Sequence, residues 1–99
     1  MTDYIYAMYS YLLDIDLYFN GRDKEATSII KELKKAIDNY VKSPDKTTFQ
    51  AIEDANNRFF SNGELKTNFC RVSDYINNLG EMIYMTKQAV YRFKWWKFL

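Results

Sequence analysis

In the first twenty residues, Ile5, Met8, Leu12, Ile15 and Phe19 recur at alternating intervals of three and four, which places them on one stripe of an α-helix. Tyr4, Tyr11 and Tyr18 follow at intervals of seven along the flank of that stripe. The many tyrosines and the Asn20-Gly21 pair invite a hairpin reading, but the residues beyond the turn contradict it. Residues 22–41 have no period of two. Ala26, Ile29, Ile30, Leu33, Ala36, Ile37, Tyr40 and Val41 instead form an apolar helical face opposite a charged one. Gly21 is therefore expected to stop the first helix, and Asp23 to cap the second.

A third helix is expected to begin at "SPDK", with Ser43 as N-cap, Pro44 in the first helical position and Asp45 facing the positive end of the dipole. Its face is Phe49, Ile52, Ala55 and Phe59, with Phe60 adjacent, and Ser61-Asn62-Gly63 should end it. The rest of the chain carries Leu65, Phe69, Val72, Ile76, Leu79, Ile83, Val90 and Phe93 on one stripe, which unbroken would run about 50 Å at 1.5 Å per residue. Its partners would span roughly 25–30 Å by the same rise, so a break is expected near Gly80. The pattern predicts an all-α fold: an antiparallel helical bundle of four segments, the last interrupted near Gly80, forming a single domain over residues 1–99.

A chain of 99 residues with 47% hydrophobic content, including seven Phe, nine Tyr and two Trp, can sustain one core. Cys70 is the only cysteine, so no internal disulfide can form and a reducing, cytoplasmic setting is expected. The apolar amino terminus is broken by Asp3, Asp14 and Asp16 and has no cationic lead, so neither a signal peptide nor a membrane-spanning helix is expected. The net charge of +1 hides an asymmetry: residues 1–20 hold those three acids and no cation, while residues 82–99 hold Lys87, Arg92, Lys94 and Lys97 and no acid. Charge complementarity predicts that the first and last helices lie side by side.

Catalytic chemistry finds little support. There is no histidine, which removes imidazole acid–base work, histidine-based triads and histidine metal sites. One cysteine cannot build a thiolate zinc site, and three glycines form no phosphate loop. Asp14 and Asp16 are two residues apart and diverge on a helix, so they make a poor metal clamp. The chain is expected to be no enzyme and to carry no cofactor and no metal.

Aromatic residues point instead to a binding role. Tyr4, Tyr6, Tyr9, Tyr11 and Tyr18 are too widely distributed around the first helix to face one core, and tyrosine is enriched in interfaces. The terminal "YRFKWWKFL" adds Arg92, Lys94, Trp95, Trp96, Lys97 and Phe98 to the expected partner-binding set, with Val90 and Phe93 left to the core stripe. A protein partner is the leading expectation. Weak membrane-surface contact through the C-terminal end stays open, since aromatic and cationic residues suit a headgroup boundary. The small net charge argues against nucleic acid. The exposed aromatics also leave a homodimer open.

In its four amphipathic segments and its "WWKFL" end, the chain resembles the small cytosolic immunity proteins of class II bacteriocin producers. The resemblance is one of architecture and transfers no individual residue. It implies an antiparallel four-helix bundle that protects its cell without catalysis, by engaging a bacteriocin-occupied membrane receptor from the cytosolic side. Small phage-encoded inhibitors of host defence complexes, of the anti-CRISPR kind, share the same short, non-enzymatic, aromatic-rich character. The expected partner is accordingly a toxin, a toxin receptor or a defence complex.

Overall fold

The computed structural model describes residues 2–61 and 73–96, with the backbone alone for Thr2, Phe60, Ser73 and residues 90–96. Helix α1 (Thr2–Phe19) stops where Asn20 and Gly21 enter the left-handed region, with φ of 46° and 75°. Arg22 then closes the helix end. Its amide and its Nε donate to the Phe19 carbonyl at 2.9 and 3.0 Å, and its guanidinium donates to the Tyr18 carbonyl, setting a cation on the negative pole of the dipole. Helix α2 (Lys24–Lys42) opens on Asp23, whose carboxylate accepts the Ala26 amide at 2.9 Å, as the sequence predicts.

The junction to α3 (Lys46–Ser61) differs from expectation. Ser43 terminates α2, its amide donating to the Asn39 carbonyl at 2.9 Å, and so is not the N-cap of α3. Asp45 takes that role. Its carboxylate accepts the Thr48 amide at 2.8 Å while its own amide donates to the Thr48 hydroxyl at 3.1 Å, a reciprocal box two residues later than the sequence implies.

Helix α4 (Ser73–Trp96) corrects a second expectation, because it passes through Gly80 without a break. An interior glycine costs about 1 kcal/mol. Leu79 and Ile83, buried just before and one turn after it, each contribute about 1.5–3 kcal/mol and keep the helix continuous across the weak point. Leu65, Phe69, Cys70 and Val72 lie outside the described residues.

Where they are described, the four stripes meet in one core; the side chains of Val90 and Phe93 lie outside the described residues. Met8, Leu12, Ile15 and Phe19 from α1, the α2 face from Ala26 to Tyr40, Phe49, Ile52, Ala55 and Phe59 from α3, and Ile76, Leu79 and Ile83 from α4 form one core. Tyr40 and Phe49 meet edge to face at 5.5 Å across the α2–α3 turn, and burial raises the Tyr40 pKa. Two polar residues join the core. Thr86 continues the α4 stripe with its hydroxyl donating to the Met82 carbonyl at 2.8 Å, while the buried Oδ1 of Asn56 has no partner among the described residues. Val41, assigned to the α2 core face by sequence, is instead half exposed. The Ala26–Tyr40 stripe already fills that face, and Val41 lies one residue round from Tyr40 toward its edge.

Helix α1 packs most extensively along α4, and α2 along α3. Tyr9 bonds Asp38 across α1 and α2, Arg58 pairs with Glu32 across α3 and α2, and Lys87 pairs with Glu53 across α4 and α3. These registers make each consecutive pair antiparallel. The 22 × 21 Å cross-section holds two helices of about 10 Å in each direction, giving a two-by-two bundle 47 Å long.

Candidate functional site: the outer surface of α1

At about 100° per residue, Tyr6, Ser10, Leu13 and Leu17 fall on one line of α1, directly opposite the buried stripe. Tyr6 is 69% exposed, Leu13 57% and Leu17 65%. An amphipathic surface helix keeps polar residues there. Helix α1 is apolar on both faces.

Neighbouring helices extend this surface. Val41 stands three residues beyond Asp38, the residue that holds Tyr9, so it occupies the α1-facing edge of α2. On α4, Gly80, Tyr84 and Lys87 face the α3 groove, which leaves Tyr75 and Met82 on the opposite flank, toward α1, and Met85 on the outward face. Of the seven large apolar side chains exposed among the described residues, five therefore lie on or beside α1, while Met85 and Tyr84 face outward from α4. Such clustering separates an interaction surface from the scattered apolar exposure common to all proteins.

The tyrosines of the sequence reading divide among different roles. Tyr6 belongs to this surface, and Tyr4 is half-buried. Tyr11 and Tyr18 pack against the core with their rings, and Tyr18 also meets Phe19 edge to face at 5.1 Å and lies under the Arg22 guanidinium at 6.0 Å. Tyr9 rests its ring on the core while its hydroxyl donates to Asp38 at 2.5 Å. Desolvation, then the hydrogen bond to Asp38 and its negative charge, push the Tyr9 pKa from 10.0 up to about 12. The side chains of Arg92, Lys94, Trp95 and Trp96, and all of Lys97 and Phe98, lie outside the described residues.

Leu13 and Leu17 complete the line and are not among the sequence-expected binding residues. Their signal is the 6–10–13–17 spacing, which repeats the rhythm of the core stripe half a turn away and is hidden when tyrosines are counted without the leucines between them.

Other features offer less. An open groove of about 440 Å³ between α3 and α4 is lined by Asn56, Asn57, Asn77 and Tyr84, and the Lys87–Glu53 pair crosses it at 3.2 Å. A second, of about 430 Å³ between α2 and α3, includes Glu32 and Arg58, which pair with each other. Among the described residues no cluster of three acidic, histidine or cysteine side chains could hold a metal, and no helix is long and apolar enough to cross a membrane. Asp14 and Asp16 sit on different flanks of α1, the first half-buried and the second exposed. No family model matches the chain, and comparison with curated proteins and with solved structures finds no match.

Proposed function

We propose that this chain is a non-enzymatic cytoplasmic binding protein of the immunity or inhibitor type, which acts by protein–protein contact through the outer surface of α1. The observation that carries this reading is the exposed apolar line Tyr6, Leu13 and Leu17 on α1, with Val41, Tyr75 and Met85 exposed on the two helices that flank it. Each large apolar side chain contributes about 1.5–3 kcal/mol when fully buried, and the bundle leaves these six substantially in water. A partner that covers them gains what the fold does not use. The bundle itself supplies a rigid base, since Met8, Leu12, Ile15 and Phe19 anchor the opposite side of the same helix in the core.

Photo-crosslinking in the native host tests the reading. A photoreactive amino acid at position 13 or 17 should capture one dominant protein, while the same group at position 28 or 35, on the side of α2 turned away from α1, should not. Equal capture from both helices would refute the assignment. Identification of the captured protein as a toxin receptor or as a defence complex separates the immunity role from the phage-inhibitor role.

A further inference from the structure

The border of the α1 surface specifies the chemistry of what covers it, and this step rests on α1 being the binding face. The charged side chains of α1 are Asp3, Asp14 and Asp16, and the helix contains no cation. At about 100° per residue, Asp3 and Asp14 border the apolar line on its α4 side and Asp16 borders it on its α2 side. Among the described residues none of the three forms an ion pair. On the facing edge of α2, Lys31 and Lys34 stand with Asp38, so the α1 carboxylates are the charges set directly along the apolar line.

Two occupants are disfavoured by this border. A second copy docking helix to helix through the same face would bring the three carboxylates of one chain against the three of the other, and like charges juxtaposed across an interface are costly. An anionic membrane would be repelled in the same way. The exposed line from Tyr6 to Leu17 covers about 16 Å, or three turns, which matches anchors at i, i+3 or i+4, and i+7 of a docked helix. We infer that the α1 surface receives a helical segment of a partner protein whose apolar stripe is bordered by lysine and arginine.

Two synthetic helical peptides of about five turns test this, sharing one leucine and tyrosine stripe but bordered by Lys and Arg in one and by Glu in the other. Each is labelled and titrated by fluorescence anisotropy against the full chain at low and at high salt. The cationic peptide should bind at least about tenfold more tightly, as a few exposed ion pairs allow, and salt should shrink the difference. The double variant Leu13→Ser/Leu17→Ser should abolish binding, and Tyr84→Ser, on the other side of the bundle, should leave it unchanged. The triple variant Asp3→Asn/Asp14→Asn/Asp16→Asn should still bind but lose the preference.

Equal or tighter binding of the Glu-bordered peptide, still lost in the double serine variant, would overturn the basic partner and leave the α1 surface standing. Binding that survives the double serine variant, or no binding of either peptide, would overturn both. A concentration-dependent dimer in sedimentation, abolished by the same variant, would assign the face to a second copy and overturn the inference.

Discussion

Helices α1 and α2 are nearly the same length, 18 and 19 residues, and each buries one stripe in the same core, yet their outer faces have opposite character. The outside of α2 is a run of exposed lysines and acids, including Lys24, Glu25, Lys31, Glu32, Lys35 and Lys42. The outside of α1 is Tyr6, Ser10, Leu13 and Leu17. Val41 apart, folding accounts for α2: an apolar side for the core and a charged side for water. It accounts for half of α1. The apolar outer line of α1 contributes nothing to the core and carries a solvation cost in the isolated chain, which a binding role would offset.

The largest expected effect tests whether the inner halves of the two helices are equivalent. Ile15 in α1 and Leu33 in α2 are both fully buried. Replacing either by alanine should destabilise the fold by about 2–5 kcal/mol, through lost transfer energy and a residual cavity, a large part of a total stability of about 5–15 kcal/mol. Urea denaturation of Ile15→Ala and Leu33→Ala measures this directly. If Ile15→Ala were nearly silent, α1 would not be a core helix, and its apolar faces would need a different account.

How much of this was legible beforehand varies by residue. The buried stripes were readable because spacings of three and four leave little ambiguity, and the Asp23 cap because a carboxylate just before an apolar run has one common use. Ser43 misled because a serine before proline suits a helix start, whereas the preceding helix had already claimed it as a terminus. Gly80 misled because propensity was weighed without the packing of Leu79 and Ile83 around it. Asn56 and Thr86 are polar by type and buried by position, which no hydrophobic pattern reveals. The α1 surface was half visible: Tyr6 stood out as an excess ring, while Leu13 and Leu17 passed as ordinary apolar residues of a helix.

A smaller effect belongs to the seam joining the two helices. Tyr9→Phe keeps the ring on the core and removes the hydroxyl that donates to Asp38, so it should cost about 1 kcal/mol at neutral pH. The sign of the pH dependence follows from the raised pKa. With the folded value at about 12 and an unperturbed value of 10.0, the Tyr9 contribution is complete below pH 10 and is lost as pH rises toward 12. Other phenols, Tyr40 among them, and the lysines titrate in that range in both proteins, so the informative quantity is the difference between wild type and Tyr9→Phe. That difference should vanish at high pH. A difference independent of pH would mean that the hydroxyl acts through packing rather than through its bond to Asp38.

The smallest effect on stability is the one that most sharpens the contrast. Leu13→Ser/Leu17→Ser removes two large apolar groups from α1, but both are more than half exposed. Exposed positions away from caps and buried networks usually shift stability by no more than about 0.5 kcal/mol. The urea midpoint should therefore barely move, in contrast to the alanine replacement at Ile15 on the same helix. Retention on a hydrophobic-interaction column should fall clearly, because the variant deletes the centre of the main apolar patch, and Tyr84→Ser should lower retention less because that residue stands apart from it. A large loss of stability with unchanged retention would show that Leu13 and Leu17 support the fold after all, and the outer face of α1 would then be no more a binding surface than that of α2.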